Sequence, residues 1–451
     1  MSEDLFGPIF VPDRFREAVS GSAWLQAMLD TEGALAVAQA RASLIPDEAA
    51  KTIVSRCDSA LFDPDEIGHQ GRAAGNPVPP LVRSLTTAVS EVSEDAARYV
   101  HKGATSQDVT DTAMMLVAKR ALGLILAELD GISSACARLA ESHRDTIMAG
   151  RTLLQQALPT TFGLKAAGWL VSVLEARRQL LDVRSPRLAA QLGGAVGTLA
   201  SLGPNGTKVL REFARELDLA EPVVPWHTNR TRVAEVGGAL SLAAGVLGKI
   251  SLDVILLSQT EVGEVEEPSE GGRGGSSTLP HKRNPILSVT AAASASRVVD
   301  LSRTLEVAMI AAHERPAGAW HSEWVTLSDA LALTGGAAVA IREVTEGLQV
   351  HTERMRENLD ATGGLLLAEN LTTVASERLG RLKAHDLVQA VARRAADGRS
   401  SFREELLGDD EIREVLSEEE IDAALDPAGY LGSAGTFVDR ALALYSKEGL
   451  V

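Results

Sequence analysis

The sequence predicts an all-α protein, and three observations lead to that prediction. Only 4% of the residues are aromatic, whereas Ala, Leu and Val supply much of the 45% hydrophobic fraction, which favours helices packed closely on small side chains. Five segments with helical apolar periodicity are far longer than the ordinary mean of about 11 to 12 residues. No segment of convincing length alternates in the manner of a strand.

The first part of the chain mixes short helical patterns with residues that interrupt them. The pattern over Thr31 to Ala42 predicts a helix. Pro12, the Ser20 to Ser22 step and Pro46 mark boundaries, and the proline-rich run from Gly75 to Pro80 is expected to be extended or turning. We therefore predict an N-terminal helical domain over residues 1–102.

The long periodic segments come next and predict a central domain, residues 103–359, built as a bundle of long helices. They run from Thr105 to about Glu141, Thr160 to Val183, about Thr231 to Val262, Pro285 to Ala312, and about Trp320 to Leu359. Residues 236–257 are apolar around most of the helix circumference, so this helix should touch protein on every side, which favours a homo-oligomer. After residue 360 shorter helical patterns return, and residues 360–451 are assigned to a C-terminal helical domain.

Charge and cysteine content limit the classes of function. The formal net charge of −17 and the pI of about 5.1 argue against nucleic acid as a partner, because the phosphate backbone would be repelled. Cys57 and Cys136 are too few for a disulfide framework, and no metal-binding spacing is visible, so no metal is expected. A reducing cytoplasm fits this composition.

Two segments bear on cellular location. The N-terminus, Met1 to Phe6, lacks the basic start and apolar core of a signal peptide, so a cytoplasmic protein is expected. Residues 236–257 are apolar enough to raise the question of a membrane helix. Lys249 and Asp253 lie four residues apart within them, as in a soluble bundle, so no membrane is expected as a partner.

The segment Gly271 to Pro285 is the strongest candidate for chemistry. Four of its first five residues are glycine, which frees the backbone to close over a ligand, and hydroxyls and positive charge follow within about ten residues. A flexible surface linker is the alternative interpretation. Pro280 and Pro285 stiffen the second half and make a linker less favoured, and the P-loop pattern is absent.

Three further polar stretches each allow a structural and a functional interpretation. His101 to Asp108 offers a helix N-terminus with hydroxyls, suited to a carboxylate, although ordinary capping explains much of it. Gly150 to Thr161 is a polar strip before a helix, with Pro159 as a stop signal, or simply a capped connection. His313 to His321 places Arg315 beside a glycine-containing turn, and Trp320 and Trp324 are explained equally well as core residues.

Together these stretches resemble the fumarase/aspartase superfamily. The segment Gly275 to Pro285 resembles its G-S-S-x-M-P-x-K-x-N signature, with Leu279 in place of Met. His101-x-Gly-x-Thr-Ser-x-Asp108 and Arg151-Thr-x-x-Gln155 match the other two regions in order and spacing. The resemblance covers nearly the whole chain.

The resemblance implies a homotetramer whose active sites each combine the three regions from three different subunits. The shared chemistry is proton transfer at the carbon next to a carboxylate, with bond making or breaking at the neighbouring carbon. It implies that Ser276, or less favourably Ser277, transfers the proton, that Lys282 stabilises its oxyanion, and that His101 orients or protonates the substrate. The implied substrate-binding residues are Thr105, Ser106, Arg151, Thr152, Gln155, Arg230, Asn284 and Arg315.

One departure from the superfamily pattern points to the substrate class. Many members carry His at the third position of Arg-Thr-His as a general acid, and here that position is Leu153. A departing amine needs a proton, whereas a carboxylate with a pKa of about 4 needs none. We therefore expect a small tricarboxylate that is cyclised to a lactone. The alternatives are an adenylosuccinate lyase-type C–N lyase that releases fumarate and a non-catalytic structural protein.

Overall fold

The protein is all-α, as predicted, and its described residues include two short pairs of antiparallel strands. The computed structural model describes residues 5–269, 274–275, 279, 282–398 and 400–449. The first helices are α1 (Gly7–Phe10), α2 (Asp13–Ala18), α3 (Gly21–Arg41), α4 (Asp47–Val54), α5 (Pro64–Gly71), α6 (Val78–Ser90) and α7 (Glu94–Ala97). The middle of the chain carries α8 (Ser106–Ser142), β1 (Ile147–Thr152), β2 (Gln155–Thr161), α9 (Phe162–Arg184), α10 (Gly206–Glu216), α11 (Thr231–Leu257), β3 (Val265–Glu266), α12 (Ile286–Val307), α13 (Ala319–Gly347) and β4 (Gln349–Val350). The last helices are α14 (Thr352–Asp360), α15 (Ala368–Leu379), α16 (Arg381–Asp397), α17 (Phe402–Gly408), α18 (Asp410–Val415), α19 (Glu418–Ala424) and α20 (Ala434–Lys447).

The chain forms two compact units, each made from three stretches of sequence. The first unit consists of Met1–Leu129, Glu175–Lys249 and Val289–Ile341. The second consists of Asp130–Leu174, Ile250–Ser288 and Arg342–Val451. The division of the sequence into domains 1–102, 103–359 and 360–451 stays a prediction.

The five long helices α8, α9, α11, α12 and α13 are present as predicted, but the last three end before the predicted residue, α13 by the largest margin. The periodic pattern continued to Leu359, whereas α13 ends at Gly347. A Cβ atom at position 347 would lie only 2.8 Å from Pro268, so only glycine fits at this end of α13. Beyond it, β4 pairs antiparallel with β3, and a separate helix, α14, follows.

The prediction for the proline-rich run is confirmed for Gly75 to Pro77, which turn, and was wrong from Val78 onward. Helix α6 begins at Val78, so Pro79 and Pro80 lie in its first turn. Proline is tolerated there because the first N–H groups of a helix have no partner within the helix. The side chain of Asn76 accepts a hydrogen bond from the backbone N–H of Val78 at 3.1 Å and so supports the start of the helix.

The segment predicted as a polar strip ending at Pro159 is instead a β-hairpin. Strands β1 and β2 pair antiparallel, and Pro159 lies inside β2 opposite Ala149. The register shifts next to Gly150, where a Cβ would lie 2.8 Å from the carbonyl oxygen of Leu158. This irregularity and the internal proline hide the strand alternation in the sequence.

Within the part of the chain that the structure describes, two helices, α11 and α13, are long and apolar enough to cross a membrane by length and composition. Of their most apolar windows, 44% and 72% of the residues are buried inside the protein. Partial burial of this kind is also found in the core helices of water-soluble proteins.

Candidate active site

The predicted cap at the start of α8 is present. The backbone N–H of Thr105 donates to Oδ2 of Asp108 at 3.0 Å, which is the reciprocal half of a capping box. The side-chain hydroxyls of Thr105 and Ser106 are half-buried, and neither has a hydrogen-bond partner among the residues that the structure describes. The start of α8 therefore presents two uncommitted hydroxyls beside the positive end of a helix dipole.

Asp108 links the start of α8 to the backbone of Gly193 and Gly194, a contact that was not predicted from the sequence. Its buried carboxylate accepts hydrogen bonds from the N–H groups of Gly193 and Gly194, both at 2.9 Å. The Nε2 atom of His227 lies 2.7 Å from Oδ1 of the same carboxylate. Asp108 is thus fully engaged inside the protein, and its role is to position Thr105 and Ser106.

His101 lies in the turn before α8 with an unusual backbone conformation. Its φ of 58° is in the left-handed region, which residues other than glycine rarely adopt. Its Nδ1 atom lies 2.6 Å from Oε1 of Glu32. Burial opposes protonation, but the charge and hydrogen bond of Glu32, together with the charge of Asp108, raise the pKa of His101 above its ordinary value.

Arg315 is brought to the same place as the start of α8. It donates to the carbonyl oxygen of Ala195 at 2.8 Å and lies 3.4 Å from Oε1 of Gln107 in the first turn of that helix. The structure thus places one predicted cationic residue in contact with the first turn of α8, and its guanidinium keeps further donors for a ligand.

Arg230, also predicted to bind substrate, has a structural environment instead. It is buried, and each of its three nitrogen atoms donates to Asp111 or Glu323. The indole N–H of Trp320 donates to the same Asp111 at 2.9 Å, so this tryptophan is a core residue. The geometry therefore gives no support to Arg230 as a substrate ligand, because two protein carboxylates already occupy its guanidinium.

In the second unit, Arg151 fixes the base of the β1–β2 hairpin. Its two terminal nitrogens donate to the two carboxylate oxygens of Glu264 at 2.9 and 2.6 Å. Glu264 is completely buried and also accepts from Asn358 Nδ2 at 2.7 Å. This bidentate pair gives Arg151 a positioning role, and Glu264 is a partner that the sequence analysis missed.

The hairpin tip presents exposed apolar residues in a strained turn. Leu153 and Leu154 have φ values of 51° and 67°, and they are 96% and 77% exposed. Two successive left-handed residues are typical of the type I′ turn, which normally takes Asn and Gly. Thr152 and Gln155, two predicted binding residues, pair across the strands directly below the tip and are exposed.

We expect Leu154→Gly to raise the free energy of unfolding by about 0.5–1 kcal/mol, because glycine removes the cost of a left-handed leucine. Urea unfolding followed by circular dichroism measures the change. Leu382→Gly is the matched control, since Leu382 is also exposed but lies within the helix α16. It should lower the free energy by about 0.5 kcal/mol, because Leu382 lies in the first turn of the helix, where the cost of glycine is smaller than in the interior. A loss of stability in both variants would show that the tip is not strained.

The glycine-rich loop closes on itself at its ends. The backbone N–H and the side-chain Nδ2 of Asn284 both donate to the carbonyl oxygen of Gly274, at 2.9 and 3.0 Å. Gly274 has a φ of 73°, and a Cβ there would lie 2.5 Å from the carbonyl oxygen of Asn284, so only glycine fits. Asn284 therefore uses its amide nitrogen to close the loop.

Of the other predicted residues of this loop, the structure describes Lys282 but not the two serines. Lys282 is exposed, so its ammonium group faces solvent. Ser276, Ser277 and His281 lie outside the residues that the structure describes, and their roles stay predictions. Within the described ranges no group of three or more His, Cys, Asp or Glu side chains is arranged to hold a metal ion.

The helical fold and the three polar regions define a class of protein, and the chain belongs to the fumarase/aspartase superfamily of lyases. Residues 11–300 match the family described as Lyase, and residues 364–441 match the one described as Adenylosuccinate lyase C-terminus. Both predictions, of family and of fold, are confirmed.

Individual relatives match along almost the whole chain. The chain is 45% identical to a 3-carboxy-cis,cis-muconate cycloisomerase of Pseudomonas aeruginosa, over 98% of this chain and 96% of the relative. It is 43% identical to a nitrosuccinate lyase of Streptomyces davaonensis, over 97% and 94%. The crystal structure of 3-carboxy-cis,cis-muconate lactonizing enzyme from Pseudomonas putida has a TM-score of 0.93 at 42% identity, covering 98% of this chain and 99% of that one.

Proposed function

We propose that this protein is an intramolecular lyase that converts 3-carboxy-cis,cis-muconate to 4-carboxymuconolactone, in the protocatechuate branch of the β-ketoadipate route of aromatic degradation. The observation that carries the proposal is the apolar hairpin tip, where Leu153 stands 96% exposed in place of a proton-donating histidine. The full-length similarity to cycloisomerases supports the same substrate.

The reaction suits a site without a general acid for the leaving group. A carboxylate of the substrate forms a C–O bond to one carbon of the diene, and the neighbouring carbon accepts a proton, so the product is an isomer. The nucleophile is tethered and already ionised, which leaves orientation and one proton transfer to the enzyme. Ser276 transfers that proton, and Lys282 stabilises the serine oxyanion. No metal or organic cofactor takes part.

The substrate carries three carboxylates, and the described residues offer groups for them. The hydroxyls of Thr105 and Ser106 are at the start of α8, and the guanidinium of Arg315 contacts Gln107 in the first turn of the same helix. Gln155 and Lys282 are exposed and add an amide and an ammonium group. The local positive charge offsets the negative charge of the whole protein, which would otherwise repel such a substrate.

The active enzyme is a cytoplasmic homotetramer in which each site combines residues from three subunits. The long helices expose apolar side chains that a monomer would leave in water, which supports assembly through these helices. Examples are Leu242, Leu252, Val299 and Val325.

A second candidate, elimination of nitrite from a nitro-dicarboxylate, is favoured by one observation. The chain is 43% identical to a nitrosuccinate lyase over nearly its full length. Nitrite, like a carboxylate, is a weakly basic anion, so its departure also needs no proton from position 153. An adenylosuccinate lyase-type reaction is disfavoured, because its amine leaving group does need one.

The deciding experiment uses the purified protein with three substrates in parallel. We expect loss of the conjugated-diene absorbance of 3-carboxymuconate, with no nitrite released from nitrosuccinate and no cleavage of adenylosuccinate. A higher kcat/KM for nitrite release than for diene loss would overturn the proposal in favour of the second candidate.

A further inference from the structure

We propose that Glu32 is the positioning residue for His101: it binds Nδ1 of the imidazole and leaves Nε2 to face the substrate as a charged donor. The inference rests on the proposed function, because it assigns His101 to the same substrate site. Neither the sequence motifs nor the superfamily resemblance discussed above points to Glu32.

The buried position of the Glu32 carboxylate favours a cationic partner. Glu32 lies on α3 and is 2% exposed. Its Oε1 lies 2.6 Å from Nδ1 of His101, while Oε2 is buried without a hydrogen-bond partner in the described part of the chain. A buried carboxylate with only one polar partner is costly unless that partner neutralises its charge. The pair is therefore most stable as carboxylate and imidazolium.

Helix α3 holds the turn of His101 at a second point. Gln39 follows Glu32 by seven residues, two turns along the same face, and its Nε2 donates to the carbonyl oxygen of Lys102 at 2.5 Å. The ammonium group of Lys102 in turn donates to the carbonyl oxygen of Leu44 at 3.1 Å. These contacts fix the residue next to His101 and support its left-handed backbone, which a free turn would relax.

The charges around His101 favour a protonated ring. Glu32 on α3 and Asp108 on α8 both raise its pKa, while the ammonium group of Lys102 is directed to Leu44. With Nδ1 bound to Glu32, Nε2 is the nitrogen that remains, and it has no hydrogen-bond partner among the described residues. An imidazolium held in this way attracts a substrate carboxylate and stabilises the negative charge of the carbanion while Ser276 transfers the proton.

The test compares Glu32→Gln with Glu48→Gln, a matched control whose carboxylate is exposed and pairs with Lys51 at 2.6 Å. Hydrogen–deuterium exchange at the imidazole C2 position, resolved by mass spectrometry, measures the pKa of His101 without reference to activity. In Glu32→Gln we expect that pKa to fall, and the pH at which kcat/KM for 3-carboxymuconate declines on the alkaline side to fall with it. Glu48→Gln should change neither.

Each outcome decides the proposal. An unchanged pKa of His101 in Glu32→Gln overturns the pairing, and a fallen pKa with an unmoved pH profile overturns the link to the substrate. If the wild-type protein does not act on 3-carboxymuconate, the proposed function fails, and the same profile is measured with whichever substrate it does turn over. If circular dichroism shows that Glu32→Gln is unfolded, Glu32→Asp replaces it: the retained charge should keep the pKa raised, and a pKa at the ordinary value would contradict the proposal.

Discussion

Ser276→Ala is expected to lower kcat/KM for 3-carboxymuconate by about 10²–10⁴-fold, the usual contribution of a positioned acid or base. In the proposed reaction this hydroxyl transfers the proton at the carbon next to a carboxylate, and alanine has no group to replace it. Diene absorbance measures the loss, and size-exclusion chromatography should show an unchanged oligomer.

Ser277→Ala is the control for this prediction, since it removes the same hydroxyl one residue further along. We expect a much smaller loss of kcat/KM from it. The reverse order of effects would transfer the role to Ser277, and full activity in both variants would remove proton transfer from the loop altogether.

The chemistry of the loop stays a prediction from residue types, and the hydrogen bonds between Gly274 and Asn284 could not be predicted. Glycines, hydroxyls and cations within one short stretch indicate an anion site from residue types alone. The double hydrogen bond from Asn284 to Gly274 depends instead on a backbone carbonyl, and no residue type encodes where a carbonyl points. The sequence therefore predicted Asn284 as a ligand, whereas its amide nitrogen closes the loop.

The long helices were the easiest part of the fold to predict, since a helical period sustained over many residues has few alternatives. The errors in predicting the fold occurred where the effect of a residue depends on its position within a helix or strand. Pro79 and Pro80 break a helix in its interior but are accepted in its first turn, where α6 begins. The hairpin at 147–161 was missed because a bulge and Pro159 interrupt its alternation.

The ion-pair partners of the charged site residues could not be predicted from the sequence. His101 and Glu32 are 69 positions apart, and Arg151 and Glu264 are 113 positions apart. A sequence motif identifies the residue that reacts with or binds the substrate. The residue that orients it can lie on any helix that packs against it, at any distance along the sequence. Arg230 was predicted to bind substrate because its carboxylate partners, Asp111 and Glu323, are far from it in the sequence and form no motif with it.

Arg230→Met is expected to lower the free energy of unfolding by about 3–5 kcal/mol, the usual result of removing one partner from a buried ion pair. Asp111 and Glu323 would remain buried and close together without a cation between them. Burial already raises the pKa of Glu323, despite the opposing charge and hydrogen bonds of Arg230. Urea unfolding at neutral pH measures the loss.

The matched control compares the stability lost on removing a buried cation with that lost on removing an exposed one. Arg178→Met removes the same charge from an exposed pair with Asp182 on α9 and should cost at most about 1 kcal/mol. Adding Glu323→Gln and Asp111→Asn to Arg230→Met should restore much of the lost stability, because no buried charge then lacks a partner. An Arg230→Met variant that keeps its stability but loses affinity for the substrate would contradict the structural role and return Arg230 to the binding site.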